Sequence, residues 1–108
     1  MNSTKRRSPT SKRTKLPRKH DWTRSFTDDW ERLNLSGRYD MAALKKAMLL
    51  LIAGDAPLPA EYRDHKLSGK MNKYRECHIG GDFLLMYELL GDTDIIFVRA
   101  GSHADLFG

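Results

Sequence analysis

The stretch YRECHIGGDFLLMYELLGDTDIIFVRA, residues 74–100, decides the fold. Strand-like pattern covers Tyr74 to Ile79, Phe83 to Leu90 and Ile95 to Ala100, with Gly80-Gly81 and Gly91 to Thr93 between them. Short apolar runs bounded by glycine and aspartate read as strands joined by tight hairpins. The stretch therefore predicts three antiparallel strands in a meander.

The segments before it read as helices. Ser25 is a good N-cap with Asp28 and Asp29 in the following turn, which predicts a helix from Phe26 to about Ser36 with Phe26, Trp30 and Leu33 on its apolar face. Gly37 ends it. Asp40 caps a second helix in which Met41, Leu44, Met48 and Leu51 recur at helical spacing until Gly54. Leu16 to Arg24 contains Pro17 and suits an edge strand. Pro57, Pro59 and Ser68-Gly69 mark a loop that carries His65. The helices precede the strands and do not alternate with them. That order predicts an α+β fold in which an antiparallel helix pair covers one face of a mostly antiparallel sheet of three to four strands.

A chain of 108 residues supports one domain with one modest core, placed at residues 16–108. Residues 1–20 hold eight Lys and Arg and no acid, whereas residues 21–108 hold 11 bases against 14 acids. The basicity thus belongs to the N-terminal arm. Met1 to Lys15 lacks aromatic residues and helical apolar spacing and is expected to be a disordered basic tail. Such an arm either adds salt-sensitive attraction to RNA or the ribosome or is a plain solvated extension. No apolar run nears the roughly 18 residues of a membrane span, and no apolar segment of the signal-peptide kind follows the basic start, so a cytoplasmic protein with no membrane partner is expected. The single cysteine, Cys77, permits no internal disulfide and no zinc-finger pattern.

Three of the four histidines, His65, His78 and His103, lie in the last 44 residues with Glu76 and Asp82 near them. Histidine titrates nearest neutrality of all side chains and suits proton transfer or metal binding. Period 2 places Tyr74, Glu76 and His78 on one strand face and Arg75, Cys77 and Ile79 on the other, so Cys77 should not share a site with His78. Ligand identity alone would let His65, His78, His103 and Asp82 hold a metal, but no close pair such as H-x-x-x-H supports one. No metal and no cofactor are expected. One chemistry open to such a set without a metal is RNA cleavage, in which a base takes the ribose 2′-OH proton, the oxygen attacks phosphorus, and an acid protonates the leaving 5′-oxygen. Lys70, Lys73, Arg75 and Arg99 are candidates to bind RNA and stabilise the phosphorane charge. The competing reading is that isolated histidines in loops and strand ends are merely solvated or are satisfied core residues. Asp82 also poses a geometrical question. A strict two-residue turn at Gly80-Gly81 turns its carboxylate away from His78, and only an irregular turn, which we expect, brings it round.

The blocks Asp64 to Gly69, Tyr74 to Ile79, Asp82 to Tyr87 and Arg99 to Phe107 resemble, in order and spacing, the YafQ branch of the RelE/ParE toxin superfamily. The resemblance covers nearly all of the C-terminal half. It implies a RelE-like domain and a type II toxin: an endoribonuclease that cuts mRNA in the ribosomal A site, with a cognate antitoxin as partner and room for a heterotetrameric complex. On the family pattern His65, His78, Asp82 and His103 fall on active-site positions, with Glu76 where aspartate is usual and Phe107 where an aromatic ring helps hold RNA. His103 is then the general acid, Asp82 or His78 the general base, and His65 a phosphate-stabilising group. Gly81 stands where proline is common and Phe83 where tryptophan is common, while Glu76 adds one methylene and moves its carboxylate by about 1 Å. The alternative is a non-catalytic or ParE-like member that acts on gyrase or only binds its antitoxin.

Overall fold

A computed structural model describes residues 16–108, so the basic tail expected over 1–15 lies outside the described residues. Strand β1 (Lys19–Trp22) leads into helices α1 (Arg24–Ser36) and α2 (Met41–Ala53). Strands β2 (His65–Lys66), β3 (Arg75–Gly80), β4 (Phe83–Leu90) and β5 (Asp94–Gly101) follow, and helix α3 (His103–Phe107) ends the chain. The strands form one sheet of five in the order β1-β5-β4-β3-β2. Its meander is antiparallel, as the alternation predicts, but β1 runs parallel to β5 with Lys19 opposite Asp94 and Trp22 opposite Phe97. The α+β expectation holds, on a mixed sheet one to two strands larger than expected.

Helix α1 starts two residues before the expected point because Thr23, not Ser25, is its N-cap. The Thr23 hydroxyl accepts from the Phe26 N–H at 3.0 Å and donates to the Val98 carbonyl at 2.8 Å, so one side chain caps the helix and pins it to β5. Asp40 caps α2 through the Ala43 N–H at 3.0 Å, and Gly54 closes it at φ 64°. Phe26 and Leu33 of α1 and Leu44 and Leu51 of α2 are buried in one core with Cys77, Leu85, Tyr87 and Phe97 of the sheet. This leaves the other sheet face to carry the histidines. Cys77 is fully buried on the helix side, away from His78, and burial, with a smaller contribution from the Asp64 and Glu76 charges, pushes its thiol up to about 12.

Candidate active site

The two-residue strand β2 sets His65 directly opposite Glu76 and Lys66 opposite Arg75. Two residues are too few to show alternation, which is why His65 reads as a loop residue from sequence. On β3 the pleat then carries Glu76 and His78 to the same side. Between His78 and Gly80 the β3–β4 register slips, with His78 opposite Leu84 but Gly80 opposite Phe83. Ile79 is the extra residue of a bulge, and the connecting pair becomes Gly81-Asp82 in place of Gly80-Gly81. Asp82 thereby leaves the strand alternation and swings its carboxylate to the histidine side. The irregular turn on which the site depends is present.

Asp82 Oδ1 accepts from the His103 backbone N–H at 3.0 Å and from His103 Nδ1 at 2.7 Å. A carboxylate only accepts, so Nδ1 carries the proton and Nε2 of His103 is the free ring nitrogen. The His103 backbone N–H, then its ring, hold the Asp82 carboxyl below the usual carboxylate range. His65 is fixed in the same sense, since its Nδ1 lies 2.7 Å from the Arg63 carbonyl and its Nε2 lies 3.6 Å from Glu76 Oε1. Arg63 reaches this position at φ 48°, the one non-glycine residue with positive φ among the described residues. Glu76 is buried, and its Oε2 has no hydrogen-bond partner among the described residues. His78 lies between the other rings and makes no side-chain hydrogen bond among the described residues. The centroids of His65 and His78 are 6.4 Å apart, those of His78 and His103 6.3 Å, and those of His103 and Phe107 6.1 Å. The result is a row of four rings along one face.

Helix α3 sets the end of that row. Ser102 caps it through the Asp105 N–H at 3.1 Å, and the Asp105 carboxylate returns the bond to the Ser102 N–H at 2.9 Å. This capping box was legible as Ser102-x-x-Asp105, although the last residues read only as a closing segment. Gly101 is required here: at φ 152° a Cβ on it would lie 2.6 Å from Asp105 Oδ2.

Two of the four cations expected on RNA are committed elsewhere. Arg75 points to the helix side, where its Nη2 donates to Asp64 Oδ2 at 2.9 Å and its Nε lies 3.3 Å from the Tyr87 hydroxyl. Tyr87 also donates a short hydrogen bond to Asp64. Arg99 donates through Nε to Asp29 Oδ2 at 2.7 Å. Lys70 and Lys73 are exposed, the latter with its ammonium 5.1 Å over the Tyr74 ring. Sequence reasoning passed over Asp29 and Asp64. Asp29 reads as an ordinary first-turn acid, yet it is buried and accepts from Arg99, from Arg32 at 3.0 Å and from the Ala100 N–H at 3.0 Å. Burial raises its carboxyl, but these donors more than reverse that and leave it below the usual range.

A family model described as the bacterial toxin of type II toxin-antitoxin systems, YafQ, matches residues 18–108. The chain belongs to the YafQ toxin family. The mRNA interferase toxin YafQ of Escherichia coli K12 is 48% identical over 69 residues, which are 64% of this chain and 74% of that protein. The structure of the E. coli DinJ-YafQ complex aligns with a TM-score of 0.75 at 38% identity over 84% of this chain and 99% of that one. A metal-bound toxin from Helicobacter pylori aligns at 0.73 and 34% identity over 82% of this chain and 98% of that one. In the YafQ fold of the present chain, no group of three or more His, Cys, Asp or Glu among the described residues is arranged to hold a metal. Nor is any helix among them long and apolar enough to cross a membrane.

Proposed function

We propose that this YafQ-family toxin is an mRNA interferase, an endoribonuclease that cuts translated mRNA in the ribosomal A site. The observation that carries the reading is the Asp82–His103 pair, 2.7 Å apart, beside His78 in one row of rings. Asp82 uses Oδ1 on both donors of His103 and thus fixes the ring with Nε2 outward, as the carboxylate does in an Asp–His catalytic pair. Asp82 is then a positioning residue. His78, with no hydrogen bond of its own to lose, takes the ribose 2′-OH proton. The 2′-oxygen attacks the adjacent phosphorus and the bond from phosphorus to the 5′-oxygen breaks, while His103, entering the step as the imidazolium with its Nδ1–H on Asp82, gives its Nε2 proton to that oxygen and is left as the neutral ring. A 2′,3′-cyclic phosphate and a 5′-hydroxyl result. His65, held between the Arg63 carbonyl and Glu76, stabilises charge on the phosphoryl oxygens, and Phe107 at the end of the row packs on the RNA.

The DinJ-YafQ complex of the E. coli relative supports a cognate antitoxin as the partner that restrains this activity. Induced expression is expected to arrest growth and to leave mRNA cuts in frame with translated codons. His103→Ala should lower cleavage by about 10²–10⁴-fold, the usual worth of a general acid, and release the arrest. Growth arrest with intact mRNA would overturn the reading.

A further inference from the structure

Two hollows flank the Gly81-Asp82 turn. One, of about 410 Å³, is lined by Arg38, Tyr39, Asp82, Phe83 and Ser102. The other, of about 480 Å³, is lined by Lys46, Tyr62, Arg63 and His78. Ala43, Ile79 and Gly80 wall both, so the two are halves of one groove that passes between α2 and the end of β3. From this geometry we infer that the groove is a nucleotide subsite, which binds the residue of single-stranded RNA next to the scissile phosphate. The inference rests on the ribonuclease reading above.

Contiguity with the chemistry is the first support. The groove opens on His78 at one end and on Asp82 and Ser102, the neighbour of His103, at the other. The ring row and the groove thus share the rim formed by His78 and Asp82. Its lining is the second. Arg38, Lys46 and Arg63 are exposed and form no ion pair among the described residues, unlike Arg75 and Arg99. Beside them stand half-buried Tyr39, packed edge-on against Phe83 at 4.9 Å, and half-buried Tyr62. Free cations beside aromatic rings are what a single strand needs, phosphates on the one and a base on the other. Asp40 spends its carboxylate on capping α2, which leaves Glu61 as the only other acid on the walls besides Asp82.

Gly80 gives the third support. Its backbone does not adopt positive φ, and a Cβ placed on it would meet nothing within 4 Å. Neither strain nor close approach requires glycine there, and glycine in a strand ordinarily weakens it. What the missing side chain supplies is clearance, because Gly80 lies on the wall that both hollows share.

Gly80→Val is therefore the discriminating variant, since valine suits a strand and should leave the melting temperature unchanged or raised. On ribosomes programmed with a defined mRNA, its KM should rise about tenfold, the loss of roughly one stacked base, with kcat within twofold of wild type. Repeating the assay with mRNA ending at the scissile nucleotide on either side should make variant and wild type converge on one of the two shortened messages. Lys46→Gln and Arg38→Gln should each lower the slope of log KM against log salt by about 0.7. An unchanged KM for Gly80→Val, or the same rise on all three messages, overturns the subsite. So does a Gly80→Val protein that loses affinity for its antitoxin while KM stays put, because the groove then belongs to that protein partner. If wild type itself makes no cuts that His103→Ala abolishes, the ribonuclease reading has failed first and the subsite with it.

Discussion

Replacing Asp29 by Asn should cost this protein much of its stability, although Asp29 touches none of the rings. Its carboxylate accepts four donors: Arg99 Nε at 2.7 Å and Nη2 at 3.2 Å, Arg32 Nη2 at 3.0 Å and the Ala100 N–H at 3.0 Å. An amide of the same shape turns one acceptor into a donor and sets N–H against N–H at two of them. Breaking a buried ion pair costs about 3–5 kcal/mol. Here the Arg99 and Arg32 side chains are 31% and 45% exposed and can rehydrate, while the Ala100 N–H is buried and cannot, so about 3 kcal/mol is the reasoned figure. In a domain of this size that lowers the melting temperature by roughly 10–20 °C.

The pH dependence gives the sharper check. Asp29 has its folded carboxyl below the ordinary aspartate value of 3.8, so its contribution is fully present above that value and is lost as pH falls through the lower folded one. Denaturant unfolding of wild type and Asp29→Asn at pH 7 and at pH 3 should show the gap between them narrowing in acid. A gap under about 1 kcal/mol at pH 7, or one constant down to pH 2, would refute the account, since buried partners of this kind must register in both measurements.

Other consequences follow from single contacts. Gly101→Ala should cost on the order of 1–3 kcal/mol and displace Asp105, lowering kcat through the shifted His103; a variant with wild-type activity would show that the 2.6 Å approach is relieved elsewhere. Tyr87→Phe should cost about 1 kcal/mol by freeing one Asp64 bond next to His65, read by denaturant unfolding, with a loss of activity smaller than that of His65→Ala. Cys77, its thiol pushed up to about 12, should react with an alkylating reagent at pH 8 only as fast as the protein unfolds; labelling that ignores denaturant would contradict its burial. Removal of residues 1–15, which carry six Lys and Arg, should flatten the salt dependence of ribosome association, and an unchanged slope would make the arm a plain extension.

The meander, the helix pair and the separation of Cys77 from His78 were legible because each rests on a local period or cap. What escaped depends on partners far away in sequence. The choice between Thr23 and Ser25 as N-cap turned on the Val98 carbonyl, 75 residues on. The pairing of β1 with β5 has the same character. The bulge at Ile79 is a property of two paired strands, so no local reading of Gly80-Gly81-Asp82 could fix which pair makes the turn. Arg75 and Arg99 counted as RNA cations by charge alone, and only the fold supplies the carboxylates that engage them. The site residues named from family blocks come together because the bulge and α3 deliver Asp82 and His103 to one spot, two events separated by the whole of β4 and β5.

Those distant contacts also explain how an exposed site keeps its geometry. The His103 and Asp82 side chains are 59% and 62% exposed, and an ion pair in such solvent contributes little rigidity of its own. Rigidity has to come from groups better shielded from water. Asp29 anchors Ala100 and Arg99, Arg99 Nη2 reaches the Asp105 carbonyl at 3.3 Å, and Asp105 closes the capping box beneath His103. At the opposite end Asp64, held by Arg75 and Tyr87, precedes His65 directly in the chain. Each outer histidine of the row is thus set through a carboxylate outside the row, Asp29 at one end and Asp64 at the other, while His78 is set by the strand itself. Variants should divide along that line. Changes at His78 and His103 should alter kcat and leave the melting temperature nearly untouched, whereas Asp29→Asn should lower both, with the rate loss surviving at temperatures where the variant is still fully folded. A variant of Asp29 that kept full activity while folded would sever the buried carboxylate from the ring it is argued to position.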